Sequence, residues 1–306
     1  MARPAFVAPM LATLSDERSL GDGWVLERKL DGVRCIAVAA GGRVRLFTRN
    51  ELDRTARWPG VAAAVEALGR DVVLDGEVVA MHGDEALGFQ ALQQHGTAAL
   101  WAFDVMHLDG EDLRGRPLHE RRAVLERLVG RGGGALRLTE VWKGDSERRY
   151  AEACAAGWEG LIAKVADSPY AGGRSRDWLK LKCIAEQEVV VGGWTDPRGS
   201  RAGLGALLVG VYDGAGALLY AGKVGTGFDR GRLEDLVARL GPLARETSPF
   251  AEPIKPRVAG AHWVEPRLVA QVGFQEWTSA GRLRQPRFLG LREDKAPSDV
   301  VRERPS

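Results

Sequence analysis

The chain has 306 residues, of which 45% are hydrophobic and 27% charged, a composition typical of a soluble globular protein and a length sufficient for two domains. No apolar run reaches the roughly 18 residues of a membrane span, and the N-terminus lacks the long apolar stretch of a secretory signal, so we expect a cytoplasmic protein. The net charge of +2 neither requires nor excludes a nucleic-acid partner, so any polyanion site must come from local basic clusters.

The cysteines and histidines predict no metal site. Cys35, Cys154 and Cys183 are far apart and odd in number, and none belongs to a C-x-x-C pair. A structural zinc site or a disulfide framework is therefore not expected. The five histidines show no metal-ligand spacing, so we interpret both residue types as packing or surface residues.

The first part of the chain has a mixed α/β pattern. Short apolar runs predict strands at residues 35–38, 44–47 and 100–105, and Gly41-Gly42 between the first two predicts a hairpin turn. Apolar residues also flank Asp75-Gly76-Glu77 on both sides. Helices are predicted over residues 118–129 and between residues 142 and 157, with Gly157 ending the second.

The pattern becomes mostly β after Cys183. Strands are predicted at residues 189–191, 206–212, 218–224 and 269–277. A tight turn is expected at Asp213-Gly214, one helix over residues 233–240 and a surface loop over the proline-rich residues 250–258. A mostly β stretch of about 120 residues with one helix is typical of a small barrel such as an OB-fold. We expect the domain boundary near residues 185–188.

The segment from Glu27 to Arg34 contains the first candidate for chemistry. Its central Lys29-Leu30-Asp31-Gly32 is more often structural than catalytic when it stands alone, because Asp-Gly is a common hairpin turn. Asp-Gly also recurs elsewhere, for example at Asp75-Gly76. The segment by itself therefore does not identify a site.

An ordered series of motifs follows Lys29 and changes that judgement. The members are Thr48-Arg49-Asn50, Asp75-Gly76-Glu77, Phe103-Asp104, Glu159-Gly160-Leu161-Ile162-Ala163-Lys164, Trp178-Leu179-Lys180-Leu181-Lys182 and Arg292-Glu293-Asp294-Lys295. Each motif is weak alone, but the series in this order resembles the covalent nucleotidyltransferase superfamily of DNA ligases, RNA ligases and mRNA capping enzymes. Residues 9–13, 114–118, 194–201, 220–227 and 290–295 extend the likeness to the ligase module of bacterial non-homologous end-joining ligases.

The resemblance covers essentially the whole chain and implies an α+β protein of two domains. Residues 1–187 would form a nucleotidyltransferase (adenylation) domain and residues 188–306 a small β-barrel OB-fold domain. The implied activity is ATP-dependent sealing of 3′-hydroxyl/5′-phosphate nicks in duplex DNA, through a lysyl-AMP and a DNA-adenylate, in repair and end joining. The implied partners are nicked duplex DNA and Ku-type end-joining proteins, and we expect a nucleoid-associated bacterial monomer.

Lys29 is the expected nucleophile. An amine that attacks the α-phosphorus of ATP must be unprotonated, although a free lysine has a pKa of about 10.4. We expect burial and the nearby cations Arg34, Lys180 and Lys182 to lower the pKa of Lys29. Because Lys180 and Lys182 lie two apart, a strand would direct both to one side, where they can stabilise the α-phosphate. The other interpretation of these two lysines is a solvated strand edge.

The resemblance implies further roles for single residues. Glu27 and Phe103 would contact adenine, the latter by stacking, and Glu77 would bind ribose or orient Arg34. Metal, as Mg²⁺ or its substitute Mn²⁺, would use Glu159 directly and Asp31 through water, in keeping with a magnesium site that has few carboxylates.

Three basic residues would bind other phosphates. Arg49 would bind the terminal phosphate of the nick, which suits a bidentate guanidinium. Arg292 and Lys295 of the second domain would reach the β- and γ-phosphates of ATP. Relatives often have glycine two places after the arginine of the Thr48-Arg49-Asn50 motif, where this chain has Glu51. The sequence therefore leaves the loop geometry around Arg49 open.

Two other functions fit parts of the same pattern. An RNA ligase or a capping guanylyltransferase would use the same nucleophile, and comparing ATP with GTP and nicked DNA with nicked RNA separates these activities. A non-catalytic nucleic-acid-binding module of the same ancestry would form no covalent nucleotide adduct, although all the expected catalytic residue types are present.

Overall fold

The computed structural model describes residues 4–93, 97–130, 132–183, 185–197, 203–255 and 257–303. The chain forms two compact units, Met1–Cys183 and Ile184–Glu303. Residues 198–201 of the 194–201 motif and Pro256 of the expected 250–258 loop lie outside the described residues. In the described part of the chain, no helix is both long enough and apolar enough to cross a membrane.

The first unit combines strands with four short helices in its described residues. The strands are β1 (Met10–Leu14), β2 (Trp24–Arg28), β3 (Val33–Ala40), β4 (Arg43–Thr48), β5 (Val72–His82), β6 (Glu85–Leu87), β7 (Ala98–Leu108), β8 (Glu111–Asp112), β9 (Leu136–Leu138), β10 (Trp142–Lys143), β11 (Gly160–Val165) and β12 (Gly173–Lys182). The helices are α1 (Pro59–Glu66), α2 (Phe89–Gln93), α3 (Leu118–Val129) and α4 (Ser146–Ala155).

These strands form two sheets. Sheet A has the order β1-β12-β11-β2-β10, and sheet B has the order β4-β3-β5-β7-β8, with β6 on β5 and β9 on β7. A shared core that includes Met10 and Trp178 of sheet A and Ile36 and Val73 of sheet B lies between the two sheets. The back of sheet B packs on helices α1 and α3, and the back of sheet A has its own apolar cluster.

The predicted hairpin is confirmed. β3 and β4 pair antiparallel, from Cys35 opposite Thr48 to Ala40 opposite Arg43. Gly41 and Gly42 form the turn with φ values of 55° and 75°. Two successive residues with positive φ match the type I′ turn that joins twisted antiparallel strands.

The two helices predicted in the first part of the chain are also confirmed. Helix α3 spans the predicted residues 118–129, and α4 lies within residues 142–157. The Asp145 side chain caps α4 by accepting a hydrogen bond from the Arg148 N–H at 3.1 Å. Gly157 follows the helix with a φ of 73°, the left-handed conformation common at helix ends.

Asp75-Gly76-Glu77 lies within one continuous strand, β5, and not at a turn. A Cβ atom on Gly76 would lie 2.7 Å from the Trp101 carbonyl oxygen and 2.6 Å from Leu100 Cδ1. The glycine therefore serves the close approach of β7 to β5. Its neighbours Asp75 and Glu77, two residues apart, point to the same face of sheet B.

The second unit is mostly β. Its elements are β13 (Ala185–Thr195), β14 (Leu207–Tyr212), β15 (Leu218–Val224), α5 (Arg230–Leu240), β16 (Ala244–Arg245), β17 (Ala261–Val264), β18 (Val269–Phe274) and β19 (Arg287–Arg292). The sheet order is β15-β14-β13-β17-β16, and β18 joins β13 to β19. The predicted strands and helix are confirmed, and the long β13 curls the sheet because different parts of it pair with β17 and β18.

The expectation that the cysteines form no disulfide is wrong. Cys154 and Cys183 are bonded, with their Cα atoms 5.2 Å apart, although 29 positions separate them in the sequence. Cys154 lies in the last turn of α4 and Cys183 directly follows β12. The packing of α4 against sheet A brings the two together, which sequence spacing does not reveal. Cys35 is a free thiol, buried in sheet B.

The disulfide should contribute measurably to the stability of the first unit. A cross-link that closes a loop of this length is worth about 3 kcal/mol, mainly through the unfolded chain. The double variant Cys154→Ser/Cys183→Ser should therefore melt roughly 5–10 °C lower than the wild type in non-reducing calorimetry. Added reductant should lower the wild-type midpoint toward that of the variant and leave the variant unchanged. A wild-type midpoint that ignores reductant would contradict the assignment.

Candidate active site

One face of sheet A, called the front face here, carries the predicted lysine pair. Lys180 and Lys182 lie two apart on β12, where they alternate with the buried Leu179 and Leu181. Alternation along a strand places both lysines on the same side, as predicted. The two leucines point to the opposite, back face and join its apolar cluster.

Strand pairing brings residues of β2 and β11 to the front face. Glu27 lies opposite Ile162, which lies opposite Lys180, and directly opposed residues of antiparallel strands share a face. Lys29 immediately follows β2, and its N–H donates to the Gly160 carbonyl at 3.0 Å. The sheet register thus sets the position of the expected nucleophile.

Lys29 and Glu159 form the central ion pair of the site. The Lys29 Nζ lies 2.5 Å from Glu159 Oε1, and the two side chains are 19% and 8% exposed. Burial by itself lowers the pKa of Lys29, but attraction to Glu159, followed by Asp31 and Glu77, raises it above its usual value. In this structure Lys29 is therefore an ammonium group.

The expected lowering of the Lys29 pKa by Arg34, Lys180 and Lys182 is wrong for this structure. The charged groups that shift the pKa of Lys29 are carboxylates. Sequence spacing indicated that basic residues share the face with Lys29, but it did not reveal that Glu159 lies closer to its amine. A cation beside Glu159 would offset this attraction.

Glu159 has an oxygen atom suited to a cation. Its Oε2 is buried and has no hydrogen-bond partner among the described residues, which is unfavourable for a carboxylate unless a positive charge approaches it. The next residue, Gly160, has a φ of 147°, and a Cβ there would overlap the Leu181 carbonyl oxygen. The glycine lets β11 approach β12 directly beside the carboxylate.

Asp31 lies near Lys29 and also binds the backbone at the start of α2. Its Oδ2 accepts a hydrogen bond from the Phe89 N–H at 3.0 Å, at the start of α2. Within the described ranges, no group of three or more His, Cys, Asp or Glu side chains could hold a metal ion. A metal at this site would therefore depend on Glu159 and at most one further carboxylate, as magnesium sites often do.

Arg34 is oriented by Asp75, a residue to which the sequence analysis assigned no role. Its Nε and Nη2 donate to the two Asp75 carboxylate oxygens at 2.5 and 2.6 Å, and the Tyr170 hydroxyl donates to Asp75 Oδ2 at 2.6 Å. Burial lowers the pKa of Arg34, but Asp75 outweighs it and raises that pKa. Glu77 is the cross-strand neighbour of Arg34, so both carboxylates lie near the guanidinium.

Phe103 lies in a cluster of aromatic and cationic side chains between the sheets. The Lys164 Nζ lies 4.3 Å from the ring centroids of both Phe103 and Trp178. The Arg34 Cζ lies 4.7 Å from the Phe103 centroid, and Trp178 meets Phe103 edge to face at 6.0 Å. The ring predicted to stack on adenine thus has two cations within cation–π distance.

Lys164 is a residue of this site that the sequence analysis missed. It is 1% exposed, and its Nζ lies 2.7 Å from Glu27 Oε1, while the Thr139 hydroxyl donates to Glu27 Oε2 at 3.0 Å. Burial is the main cause of its lowered pKa, which Glu27 offsets only in part. The available signal was its position at the end of the motif that begins with Glu159, two residues after Ile162 on the same strand face.

Arg49 lies on the turn after β4, the edge strand of sheet B. The Glu51 N–H donates to the Thr48 carbonyl at 3.0 Å, and the Thr48 N–H donates to the Leu52 carbonyl at 3.0 Å. Glu51 has a φ of 61°, a left-handed conformation that favours glycine. Glu51 therefore has a glycine-like backbone beside Arg49, at some cost in strain.

Arg292 and Lys295 belong to the second unit, and both form ion pairs within it. Arg292 makes a bidentate pair with the buried Asp294, with both distances 2.8 Å. The Lys295 Nζ lies 2.9 Å from Glu188 Oε2. Both predicted phosphate-binding residues are thus held in place by carboxylates of their own unit.

Known proteins match this chain in sequence and in fold. A sequence model described as "ATP dependent DNA ligase domain" matches residues 9–182, and one described as "ATP dependent DNA ligase C terminal region" matches residues 200–295. A solved structure described as "mycobacterial DNA ligase D complexed with ATP and MES" superposes with a TM-score of 0.69 at 41% identity. The match covers 97% of this chain and 98% of that one.

Two curated relatives are similar over nearly the whole chain. The "Multifunctional non-homologous end joining protein LigD" of Pseudomonas aeruginosa is 42% identical over 314 residues, which cover 99% of this chain and 37% of that protein. The "Multifunctional non-homologous end joining DNA repair protein LigD" of Mycobacterium tuberculosis is 43% identical over 305 residues, with 97% and 40% covered. The chain therefore spans well under half the length of these relatives.

The fold and the matched regions define a nucleotidyltransferase domain followed by an OB-fold domain, which confirms the expected fold class. The chain belongs to the family of ATP-dependent DNA ligases, because the family's ligase-domain model spans more than half of it.

The left-handed conformation of Glu51 should lower the stability of the protein. Glu51→Gly should raise the free energy of unfolding by up to about 1 kcal/mol, because glycine adopts a positive φ without the steric cost of a Cβ. Glu51→Ala, which removes the charge and keeps the Cβ, should give no such gain. Urea unfolding of the three proteins checks this. An equal gain for Glu51→Ala would show that the charge, and not the backbone, is the cause.

Proposed function

We propose that this chain acts as an ATP-dependent ligase that seals 3′-hydroxyl/5′-phosphate nicks in duplex DNA. The observation that carries the proposal is the Lys29–Glu159 pair, at 2.5 Å, on the sheet face that also bears two lysines. Family membership supports it. The names of the two LigD relatives support a role in non-homologous end-joining repair. We further propose a nucleoid-associated monomer that works with Ku-type proteins.

In the first proposed step, the Lys29 amine attacks the α-phosphorus of ATP. The ammonium first gives a proton to water; a bond then forms between Nζ and phosphorus as the nitrogen releases a second proton to water. The bond from phosphorus to the bridging oxygen breaks, and pyrophosphate leaves with that electron pair. The attack needs a neutral amine, so the attraction of Glu159 that raises the Lys29 pKa must be offset. Mg²⁺ or Mn²⁺, held by Glu159 with Asp31 beside it, would supply that positive charge and neutralise the phosphates.

Other residues bind and orient the nucleotide in this proposal. Lys180 and Lys182 stabilise the charge that grows on the α-phosphate, and Phe103 stacks on adenine. Glu27 contacts the adenine, and the Lys164 Nζ, 2.7 Å from Glu27 Oε1, holds its carboxylate in place. Glu77 and Arg34 bind the ribose side, where Asp75 holds the Arg34 guanidinium in one orientation.

The remaining steps transfer AMP and close the nick. AMP moves from Lys29 to the DNA 5′-phosphate, and the 3′-hydroxyl then attacks that phosphate and expels AMP. We assign the DNA phosphate to Arg49 and the leaving pyrophosphate to Arg292 and Lys295. In this proposal the first unit holds the adenylate, and the second unit supplies the pyrophosphate contacts.

Lys29→Ala should abolish covalent AMP transfer and ATP-dependent ligation, because no other group would form the lysyl-AMP. Incubation with α-labelled ATP and Mg²⁺, followed by peptide mapping of the label, measures this. The matched control is Lys143→Ala, which removes an exposed lysine of the edge strand β10 and should label normally. A labelled Lys29→Ala protein would overturn the assignment. Label from GTP, or preferred sealing of nicked RNA, would favour the capping or RNA-ligase alternative.

The Arg49→Ala and Arg292→Ala variants should be slow at different steps of ligation, because loss of an interaction made in one step slows only that step. Arg49→Ala should form enzyme–AMP nearly normally and lose roughly ten- to a hundredfold in transfer of AMP to DNA, the loss of about 1.5–3 kcal/mol expected for a charge-assisted contact. Arg292→Ala should be slow with ATP and recover on DNA that already carries AMP. Single-turnover assays of each step measure both. Identical step profiles would refute this division of roles.

A further inference from the structure

Four side chains form a stack on the back face of sheet A, opposite the face that carries the ion pair. The Arg28 Cζ lies 4.8 Å from the Trp158 ring centroid. The rings of Trp158 and Trp142 stack with centroids 5.8 Å and planes 24° apart, and the Arg149 Cζ lies 5.6 Å from the Trp142 centroid. We call these four residues the Arg–Trp stack.

The stack includes the immediate chain neighbours of both members of the ion pair. Arg28 precedes Lys29, and Trp158 precedes Glu159. Arg28 continues the alternation of β2 and points to the back face, and Trp158 packs in the back-face apolar cluster. The contact between Arg28 and Trp158 therefore joins, on the back, the same two backbone segments whose next residues meet on the front.

Regular strand pairing ends where those two segments meet the site. β2 ends at Arg28 and β11 begins at Gly160, so Lys29 and Glu159 both lie just outside the regular strands. The Lys29 N–H still donates to the Gly160 carbonyl at 3.0 Å, but Trp158 precedes β11 and turns back to α4, where its N–H donates to the Ala153 carbonyl at 3.0 Å. The Glu159 carbonyl accepts a hydrogen bond from the Cys183 N–H at 2.9 Å, so side-chain packing adds to a few backbone hydrogen bonds in fixing the separation of the two segments.

Ring contacts act beside charged partners in holding the two arginines: the Arg149 Nη1 donates to Glu152 Oε2 at 3.2 Å, and Glu85 attracts Arg28. The Nε atoms of Arg28 and Arg149 are buried and have no hydrogen-bond partner among the described residues. Burial is the main cause that lowers the pKa of Arg28. The face of an indole ring, the best aromatic partner for a cation, adds to the stabilisation of each guanidinium. This contact fixes geometry more than it satisfies hydrogen bonds.

We propose that Arg28 and Trp158 are positioning residues for enzyme adenylylation: their contact on the back face of sheet A sets the distance and direction of the Lys29 amine relative to Glu159. The inference rests on the proposed function of Lys29 and Glu159. Misplacement of a reacting group by about 1 Å can cost up to a hundredfold in rate, so a contact that holds this separation affects the chemical step more than ATP binding.

Single-turnover adenylylation of three variants tests the proposal. Trp158→Leu removes the ring and should slow the reaction at saturating ATP about tenfold, equivalent to about 1.4 kcal/mol, with less than about a twofold change in the ATP concentration for half-maximal rate. Trp158→Phe keeps a ring and should recover most of the rate. Trp24→Leu, a matched loss of indole from β2 that packs on the same apolar cluster, should leave the rate unchanged.

Hydrogen exchange gives a second readout that needs no ATP. The Lys29 amide should exchange faster in Trp158→Leu and keep its wild-type rate in Trp24→Leu. If the wild type forms no lysyl-AMP, the proposed function fails, while exchange still decides the positioning role. Should Trp158→Leu not fold, Arg28→Met, which keeps an apolar stem and removes the cation, tests the same contact. Wild-type rate and exchange in Trp158→Leu, or equal slowing by Trp24→Leu, would overturn the proposal.

Discussion

The ion pair of Lys29 and Glu159 constrains the rest of the first unit. Two opposite charges in a site that is largely shielded from water are favourable only when their geometry is well matched. That match requires β2 and β11 to be neighbours in one antiparallel register, and it requires glycine at position 160, where a Cβ would overlap β12. Leu26, Leu161 and their neighbours give the back face of sheet A an apolar cluster. Packing on that side helps to stabilise the sheet, so its front face can carry polar groups.

Further buried charges surround this pair, and each is matched by another. Glu27 pairs with Lys164, and the fully buried Asp104 pairs with Arg121 at 2.8 Å. Removing one partner of such a pair typically costs about 3–5 kcal/mol, because the other is left buried and uncompensated. The region between the two sheets is therefore a set of mutually fixed dipoles and charges, which is the kind of environment that stabilises a transition state without reorganising.

In the second unit, the candidate phosphate-binding residues are also paired with opposite charges. Arg292 and Lys295 are each held by a carboxylate, Asp294 and Glu188. A carboxylate thus balances each of these two cations. A phosphate that bound there would replace the carboxylate as the anionic partner. The bidentate Asp294 contact also keeps the planar fork of the Arg292 guanidinium in a defined direction, which suits recognition of a phosphate.

Local sequence patterns determined much of this protein without any tertiary information. The hairpin at Gly41-Gly42, helix α3 and the individual strands of the second unit follow from turn residues, helical spacing and short apolar runs, since each depends on interactions between residues close in the chain. The order of the motifs was enough to indicate the ligase family, because so long a series of residue types at set spacings rarely arises by chance.

Contacts between distant segments could be decided only by the tertiary structure. The Cys154–Cys183 disulfide, the Asp75 carboxylate on Arg34 and the raised pKa of Lys29 all join residues from different strands or helices. Each depends on which elements pack side by side and at what distance, because the strength of an electrostatic interaction falls with distance and the net pKa shift depends on which charges lie nearest. A sequence shows which charges are present near a motif, but the fold decides which of them lies closest to the reacting amine.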